Sequence, residues 1–222
     1  MSPALQVNFS RTQMIHQQLR AWDVLEPKIL QIFDQLPREQ FVPTAYTTMA
    51  YADIAIPLRN GAHMLSPKIA GRILQAVAPQ ADERVLEIGT GSGYLTAALA
   101  AQGAVVRSLE IDGVLANDAT QHLVKYNVQH ASVEHLDAYA PEALREQYEV
   151  IVITGSLPQA DERFEQHLAV GGRLFAVIGQ GSAMQATLIE RLAAPFLWRR
   201  TVLFETQIEP LVGAHAPESF IF

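Results

Sequence analysis

The chain has 222 residues, a formal net charge of −7 and a sequence pI of about 5.5. Hydrophobic residues make up 49% of it and charged residues 18%, which argues against disorder and predicts one domain with a sizeable core. The acidic balance disfavours a nucleic-acid partner. The absence of cysteine excludes disulfides, a thiolate nucleophile and thiolate metal ligands. No apolar run approaches the roughly 20 residues of a membrane-spanning helix, and the first residues lack a signal-peptide pattern, so we expect a soluble cytoplasmic protein.

The N-terminal part of the chain has helical periodicity from residue 9 to residue 45. The stretch "SRTQMIHQQLRAW" predicts one helix, with Ser10 or Thr12 as its cap. The stretch "EPKILQIFDQL" predicts a second helix, which starts at Glu26 and Pro27 and stops before a second proline.

Residues 46–67 have no clear period and contain several turn-forming residues. An irregular stretch of this length in a compact domain is typical of a lid or a binding segment.

From residue 68 onward, predicted helices and strands alternate. The strand at "EVIVIT" is apolar on both faces, which fits a parallel sheet covered by helices, and the alternation predicts a doubly wound α/β fold. The predicted helices are residues 68–78, 93–103, 114–127, 140–147 and 160–172; the predicted strands are residues 84–89, 104–112, 131–137, 148–155 and 173–179, with residues 184–193 and 198–213 completing the set.

A glycine-rich loop follows the first of these strands in "VLEIGTGSGYL". Its spacing is G-x-G-x-G, and Tyr94 stands where the dinucleotide fingerprint G-x-G-x-x-G needs its last glycine. Glu87 in the strand would also repel a diphosphate but would attract a cation. The pattern therefore favours S-adenosylmethionine, with the alternative of a tight turn that binds nothing. Residues of the loop predicted to contact the cofactor are Glu87, Gly89, Thr90, Gly91, Gly93 and Tyr94.

Acidic residues end the next two strands. Glu110 lies about 20 residues after the loop, where a carboxylate can accept hydrogen bonds from ribose hydroxyls. Asp112 is a rival, although it fits a helix N-cap better. Asp137 is expected beside the adenine, with an ordinary loop acid as the alternative; the neighbouring Ile111 and Ala138 complete the predicted cofactor contacts.

With these residues in place, the chain resembles the protein-L-isoaspartate O-methyltransferases over nearly its whole length. The similar segments are "MIHQQLRAWDVLEPKILQIFDQLPREQFVP", "AYADIAIPL", "VLEIGTGSGY", "VIVITGSLP", "GGRLFAVIG" and "EPLVG". The resemblance implies a class I methyltransferase, Rossmann-like, with a doubly wound, mostly parallel seven-stranded sheet and an N-terminal helical extension. It implies an extension with a substrate loop at residues 1–67 and a cofactor-binding domain at residues 68–222.

The family methylates the free carboxylate of isoaspartyl residues in damaged proteins, with S-adenosylmethionine as donor and S-adenosylhomocysteine as product. The resemblance therefore implies a protein or peptide partner. It departs at "GAHMLSP", where the family usually has Gly-Gln-Thr-Ile-Ser before a nearby proline: Ala62, His63 and Leu65 replace glutamine, threonine and serine, and Ser66 comes one step late. Gln207 stands where the family tends to carry an arginine, with Glu209 added. Another acceptor, or cofactor binding without transfer, stays open as an alternative.

Methyl transfer to a carboxylate needs alignment and hydrogen-bond donors more than a base, since a carboxyl group of pKa about 4 is ionised at neutral pH. The polar groups expected at the acceptor are Asp53, His63, Ser66 and Thr154, the last next to the transferred methyl group. A phenol or amine acceptor would use a base, for which His63 is the candidate. The remaining histidines show no metal-ligand spacing, so no metal site is predicted.

Overall fold

The structure is a computed structural model that describes residues 3–193 and 197–214. Its N-terminal helix α1, Pro3–Gln13, runs without a break into a π-helical turn, Met14–Leu19, and a 3₁₀ turn, Arg20–Trp22. The predicted cap at Ser10 or Thr12 is therefore wrong, because both residues lie inside α1. The Thr12 hydroxyl instead donates to the carbonyl of Asn8 at 2.9 Å, as helical threonines often do.

The second helix, α2, spans Pro27–Gln35 and begins where the sequence predicts. Glu26 is its N-cap in an extended conformation, and Pro27 occupies the first turn, where a missing N–H costs nothing. Its apolar stripe of Ile29, Leu30, Ile32 and Phe33 is buried.

The irregular stretch that follows contains two 3₁₀ turns, Arg38–Gln40 and Thr44–Met49. Two short strands, β1 at Ile56–Pro57 and β2 at His63–Met64, then pair antiparallel as a small hairpin. This hairpin lies within residues 46–67, the stretch that the sequence predicts to be a lid or a binding segment.

The main sheet has seven strands in the order β5-β4-β3-β6-β7-β8-β9, which confirms the predicted fold class. Four of its neighbouring pairs are parallel and the two at the β9 edge are antiparallel. The strands are β3 Arg84–Ile88, β4 Val105–Glu110, β5 Ala131–His135, β6 Tyr148–Leu157, β7 Leu168–Ile178, β8 Gln185–Arg191 and β9 Trp198–Glu205. The order reverses between β3 and β6, and such a switch point leaves a crevice at the carboxyl ends of the strands.

Within the described residues, four helices accompany the sheet: α3 Pro67–Val77, α4 Tyr94–Ala100, α5 Gly113–Lys125 and α6 Glu162–Glu165. Asp112 caps α5 as expected, because its carboxylate accepts the backbone N–H groups of Val114 and Leu115.

The helix predicted at residues 140–147 is wrong, because this stretch consists of turns. The carbonyls of Glu142 and Ala143 accept hydrogen bonds from the side chains of Arg145 and Arg107, so they are engaged outside any helical ladder. Local propensity is overridden here by tertiary contacts.

The helix predicted at residues 160–172 is also wrong beyond α6. Leu168 already pairs with Tyr148 in the sheet, and the register shifts before Arg173 pairs with Val150. The glycines at 171 and 172 therefore mark an irregularity inside β7 rather than a helix stop.

Successive side chains of a strand point to opposite faces of the sheet and belong to different hydrophobic clusters. Leu86 and Ile88 of β3 join one cluster, and Val85 joins the other together with the helices of the N-terminal extension. A Cβ at Gly71 of α3 would lie 3.0 Å from the side chain of Val24, so the extension packs directly on α3. The proposed boundary after residue 67 falls in the first turn of this helix.

No helix among residues 3–193 and 197–214 is long and apolar enough to cross a membrane. The last eight residues of the proposed cofactor domain, 215–222, lie outside the described residues.

Candidate functional site

A cavity of about 550 Å³ opens at the carboxyl ends of β3, β4 and β6. Its walls come from the glycine loop, the ends of these strands, the turn of the β1–β2 hairpin and the segment that follows β9. The lining consists of residues 55, 60–63, 65, 88, 89, 91, 109–111, 136–138, 154, 155 and 207–212. A concave site of this size at a topological switch point is where a doubly wound sheet binds ligands.

The glycine loop has a backbone that a side chain would block. Gly89 has φ +89°, and a Cβ built on it would lie 2.3 Å from Oγ1 of Thr154, far inside van der Waals contact. Gly93 has φ +81°, and its Cβ would press on Ala119 at 3.1 Å. The loop therefore needs glycine both for its conformation and for the close approach of neighbouring groups.

Thr154 holds this loop in place. Its hydroxyl donates to the carbonyls of Ile88 at 3.0 Å and Gly89 at 2.6 Å. The hydroxyl proton predicted to serve the methyl acceptor is thus directed at the loop, although the side chain does line the cavity.

Glu110 lies at the end of β4 with both carboxylate oxygens fixed. One oxygen accepts the N–H of Gly91 at 2.8 Å and the other accepts the N–H of Asp112 at 3.0 Å. The residue is 6% exposed and lines the cavity, and each oxygen keeps a lone pair for a further donor. Such an arrangement can receive a pair of hydroxyl groups.

Asp137 lines the cavity after β5 and is exposed. One of its oxygens accepts the N–H of Tyr139 at 2.9 Å, which orients the side chain. Because β3, β4 and β5 are neighbouring parallel strands, the glycine loop, Glu110 and Asp137 follow one another along this edge of the sheet.

Glu87 is fully buried and is not one of the residues that line the large cavity. One oxygen accepts the hydroxyls of Thr96 at 2.5 Å and Ser108 at 2.6 Å, while Oε1 has no partner in the described part of the chain. Burial, together with the charge of Glu110, raises the pKa of Glu87 to about 7 despite these two hydrogen bonds.

A narrow second cavity of about 30 Å³, large enough for one or two water molecules, lies behind the loop. Glu87, Arg38 and Tyr94 line it, and each has a buried polar atom without a partner among the described residues: Oε1, Nη1 and the phenol oxygen. The Arg38 guanidinium lies 5.0 Å from the centre of the Tyr94 ring. Gly89, Gly91 and Thr154 belong to the walls of both cavities, so the two adjoin.

Another part of the wall of the large cavity is formed by two segments distant in sequence. His63 of β2 lies there with its Nδ1 3.4 Å from Oε1 of Glu209. Glu209 belongs to the segment after β9, which runs beside β6: its carbonyl accepts the N–H of Ser156, and the N–H of Leu211 donates back to the Ser156 carbonyl. This return makes Gly155 necessary, since a Cβ on it would lie 2.8 Å from the Leu211 Cα.

The cavity lining is acidic. In the described residues it has three carboxylates, Glu110, Asp137 and Glu209, one histidine and no lysine or arginine. No three histidine or acidic side chains in that part of the chain are grouped so that they could hold a metal ion.

The predicted acceptor residues are only partly brought together. His63 and Thr154 line the cavity, whereas Asp53 and Ser66 are not among its lining residues. Asp53 pairs with Lys68 at 2.8 Å, and Ser66 is the buried N-cap of α3 without a side-chain cap bond.

The predicted cofactor residues divide between the two cavities. Gly89, Gly91, Glu110, Ile111, Asp137 and Ala138 line the large one, and Glu87, Thr90 and Tyr94 line only the small one, while Gly93 is the N-cap of α4. Sequence reasoning missed Arg38, whose motif "PREQFVP" offers no sign of burial, and gave Glu209 no role.

Comparison with known proteins identifies the family. The family model described as protein-L-isoaspartate (D-aspartate) O-methyltransferase matches residues 10–206. The chain belongs to this family. It is 34% identical to the protein-L-isoaspartate O-methyltransferase of Methanospirillum hungatei over 82% of this chain and 84% of that protein. It is 32% identical to protein-L-isoaspartate O-methyltransferase 2 of Pelobacter propionicus over 93% and 92% of the two chains.

Solved structures agree with the fold. A Plasmodium falciparum chain described as a protein-L-isoaspartate O-methyltransferase, in complex with S-adenosyl-L-homocysteine, superposes with a TM-score of 0.76 at 17% identity over 90% of this chain and 97% of that chain. Another protein-L-isoaspartate O-methyltransferase superposes with a TM-score of 0.75 at 22% identity over 93% of this chain and 67% of that chain. Identities this low establish the shared fold alone.

Proposed function

We propose that this protein is an S-adenosylmethionine-dependent methyltransferase that methylates the free carboxylate of isoaspartyl residues in damaged proteins or peptides. The observation that carries the proposal is the large cavity, where the glycine loop, Glu110 and Asp137 follow one another along one wall. Family membership supports the acceptor, since the relatives named above are isoaspartate methyltransferases. We further propose that it works in the cytoplasm.

The residues present fit this cofactor. Gly89 and Gly91 line the large cavity without a side chain, so a ligand can approach the loop backbone closely there. Glu110 keeps acceptor sites for the two ribose hydroxyls, and Asp137 an acceptor for the exocyclic amine of adenine. Glu87 lines the small cavity beside the loop, and its Oε1 has no partner among the described residues, so it would act on the amino end of the cofactor at short range or through a water molecule.

S-adenosylmethionine supplies an electrophilic methyl group on a positively charged sulfur. The protein has to hold an acceptor oxygen in line with that group, and such alignment can contribute roughly 7–11 kcal/mol. An isoaspartyl carboxylate is already ionised at neutral pH, so no residue of the chain has to remove a proton. The acceptor instead needs donors at the end of the cavity where His63 and Glu209 lie.

The direct test uses purified protein, labelled S-adenosylmethionine and a pair of peptides that differ only in carrying isoaspartate or ordinary aspartate. We expect base-labile label on the isoaspartyl peptide alone. Equal labelling of both peptides, or of neither, would contradict the proposal.

A second candidate is the same transfer to a different acceptor. It is favoured by Leu65, which lines both cavities where the resemblance leads one to expect serine. Incubation with cell extract separates the two: label on a component other than isoaspartyl protein would support the second candidate.

A further inference from the structure

The contact between the His63 imidazole and the Glu209 carboxylate joins two segments whose backbones are fixed while their side chains remain accessible. Pro57 pairs with His63 in the β1–β2 hairpin, and the Glu209 carbonyl accepts the Ser156 N–H at 2.8 Å. The side chains are 32% and 60% exposed. The two fixed backbones thus place a partly exposed imidazole and a partly exposed carboxylate next to each other in the wall of the cavity.

The acidic lining of the cavity indicates a role for His63 and Glu209 in binding. No lysine or arginine of the described residues lines the cavity, so His63 is the lining side chain there that can carry a positive charge. Two nearby cations pair with other carboxylates, since Arg59 lies 3.1 Å from Asp112 and Lys68 lies 2.8 Å from Asp53. A third, Arg38, is fully buried in the adjoining small cavity, where it donates to the carbonyls of Ala50 and Leu65, and it does not line the large cavity. A carboxylate entering an acidic cavity requires a charged donor, which hydrogen-bonds more strongly than a neutral one.

The geometry of the ring supplies that donor. Nδ1 faces Glu209, and Nε2 lies on the opposite side of the imidazole. In the doubly protonated ring both nitrogens donate, one to Glu209 and the other to a second acceptor. A carboxylate that holds one side of an imidazole fixes the direction in which the other side acts.

We infer that Glu209 is a positioning residue that orients His63, and that His63 binds the acceptor carboxylate through Nε2–H. This inference rests on the proposed function and names the residues that would recognise its acceptor. Glu209 lies beyond residues 10–206, the part that the family model matches, so family membership alone does not supply the role.

The test compares His63→Gln, Glu209→Gln and the double variant, with Glu205→Gln as a matched control. Glu205 is an exposed carboxylate four residues before Glu209 that does not line the cavity. Methyl transfer to an isoaspartyl peptide is measured with both substrates varied. We expect the KM for the peptide to rise about tenfold in each single variant, as for a lost charged hydrogen bond, with the KM for S-adenosylmethionine unchanged.

The double variant decides whether Glu209 acts through His63. If it does, adding Glu209→Gln to His63→Gln changes nothing further. If the effects of the two single substitutions on KM multiply in the double variant, Glu209 contacts the acceptor independently of His63, and the inference is overturned. A Glu209→Gln protein with wild-type kinetics, or a Glu205→Gln control that matches Glu209→Gln, would also overturn it.

A binding assay separates this inference from the proposed function. Fluorescence anisotropy follows a labelled isoaspartyl peptide on protein saturated with S-adenosylhomocysteine. If the wild type binds the peptide but transfers no methyl group, the proposed function fails and the same four variants decide the role of the pair by affinity. If the wild type neither binds nor methylates the peptide, both are overturned.

Discussion

Two parts of the cavity wall, which we propose as its cofactor end and its acceptor end, are built differently. At the cofactor end, Glu110 is held by two backbone N–H groups and the loop is pinned by Thr154, so its polar groups are fixed before any ligand arrives. At the acceptor end, two exposed segments that are distant in sequence meet through the side chains of His63 and Glu209. A fixed end suits a ligand that is always the same, whereas an accessible end suits protein chains that differ around one damaged residue.

The largest effect on ligand binding at the cofactor end is expected from Gly89→Ala. The new Cβ would force Thr154 away from a 2.3 Å approach and strain a backbone at φ +89°. We expect the affinity for S-adenosylhomocysteine, measured by calorimetry, to fall by about a hundredfold or more. Gly171→Ala is the control, because Gly171 has φ +81° with nothing within 4 Å of its Cβ. Equal losses in the two variants would mean that backbone strain alone, rather than the crowding at Thr154, explains the result.

Glu110→Gln should weaken the binding of S-adenosylhomocysteine less than Gly89→Ala does. An amide can accept on one atom only, so one of the two backbone N–H groups now fixed at 2.8 and 3.0 Å would face an NH₂ group. The loss of one charged hydrogen bond, about 1.5–3 kcal/mol, predicts roughly ten- to a hundredfold weaker S-adenosylhomocysteine binding by calorimetry. The KM for an isoaspartyl peptide should stay unchanged, and a change there would mean that the two ends are not separate.

Glu87 should make stability depend on pH. Its folded pKa of about 7 lies above the ordinary value of 4.5, so the folded protein binds more protons than the unfolded chain between those values. The stabilisation that protonated Glu87 gives the folded state is complete below about pH 4.5 and is lost as the pH rises through 7. Relative to Glu87→Gln, the wild type should lose up to about 3 kcal/mol of unfolding free energy between pH 5 and pH 8 in urea titrations. Parallel curves for the two proteins would show that Glu87 is ionised throughout.

The smallest effects are expected from Asp53→Asn and Ser66→Ala. Neither side chain lines the cavity, and the Asp53–Lys68 pair is a partly exposed ion pair of the kind that contributes about 0–1 kcal/mol. Both variants should keep kcat/KM for the isoaspartyl peptide within about twofold of the wild type. A loss as large as that of His63→Gln would place the acceptor elsewhere.

Much of the fold follows from patterns along the chain. The apolar runs of β3 and β6, the start of α2 at Pro27 and the cap of α5 at Asp112 all form where the sequence predicts them. These features depend on local periodicity and capping, which short windows contain. The glycines of the loop and the acid at the end of β4 are local in the same sense.

What the sequence could not show depends on distant partners. The helix predicted at residues 140–147 does not form because Arg107, far away in the chain, takes the Ala143 carbonyl. The burial of Glu87 follows from helix α4 and strand β4 closing around it, which no local pattern specifies. The meeting of His63 with Glu209 requires the last segment to return across the sheet.

The close packing of Gly155 against Leu211 has a consequence for the order of assembly. All seven strands are complete at Glu205, yet one wall of the cavity comes from residues 207–212. During synthesis, a chain that has emerged only as far as β9 can form its sheet but has no finished ligand chamber. The growing chain thus acquires the ability to bind only after its sheet can form.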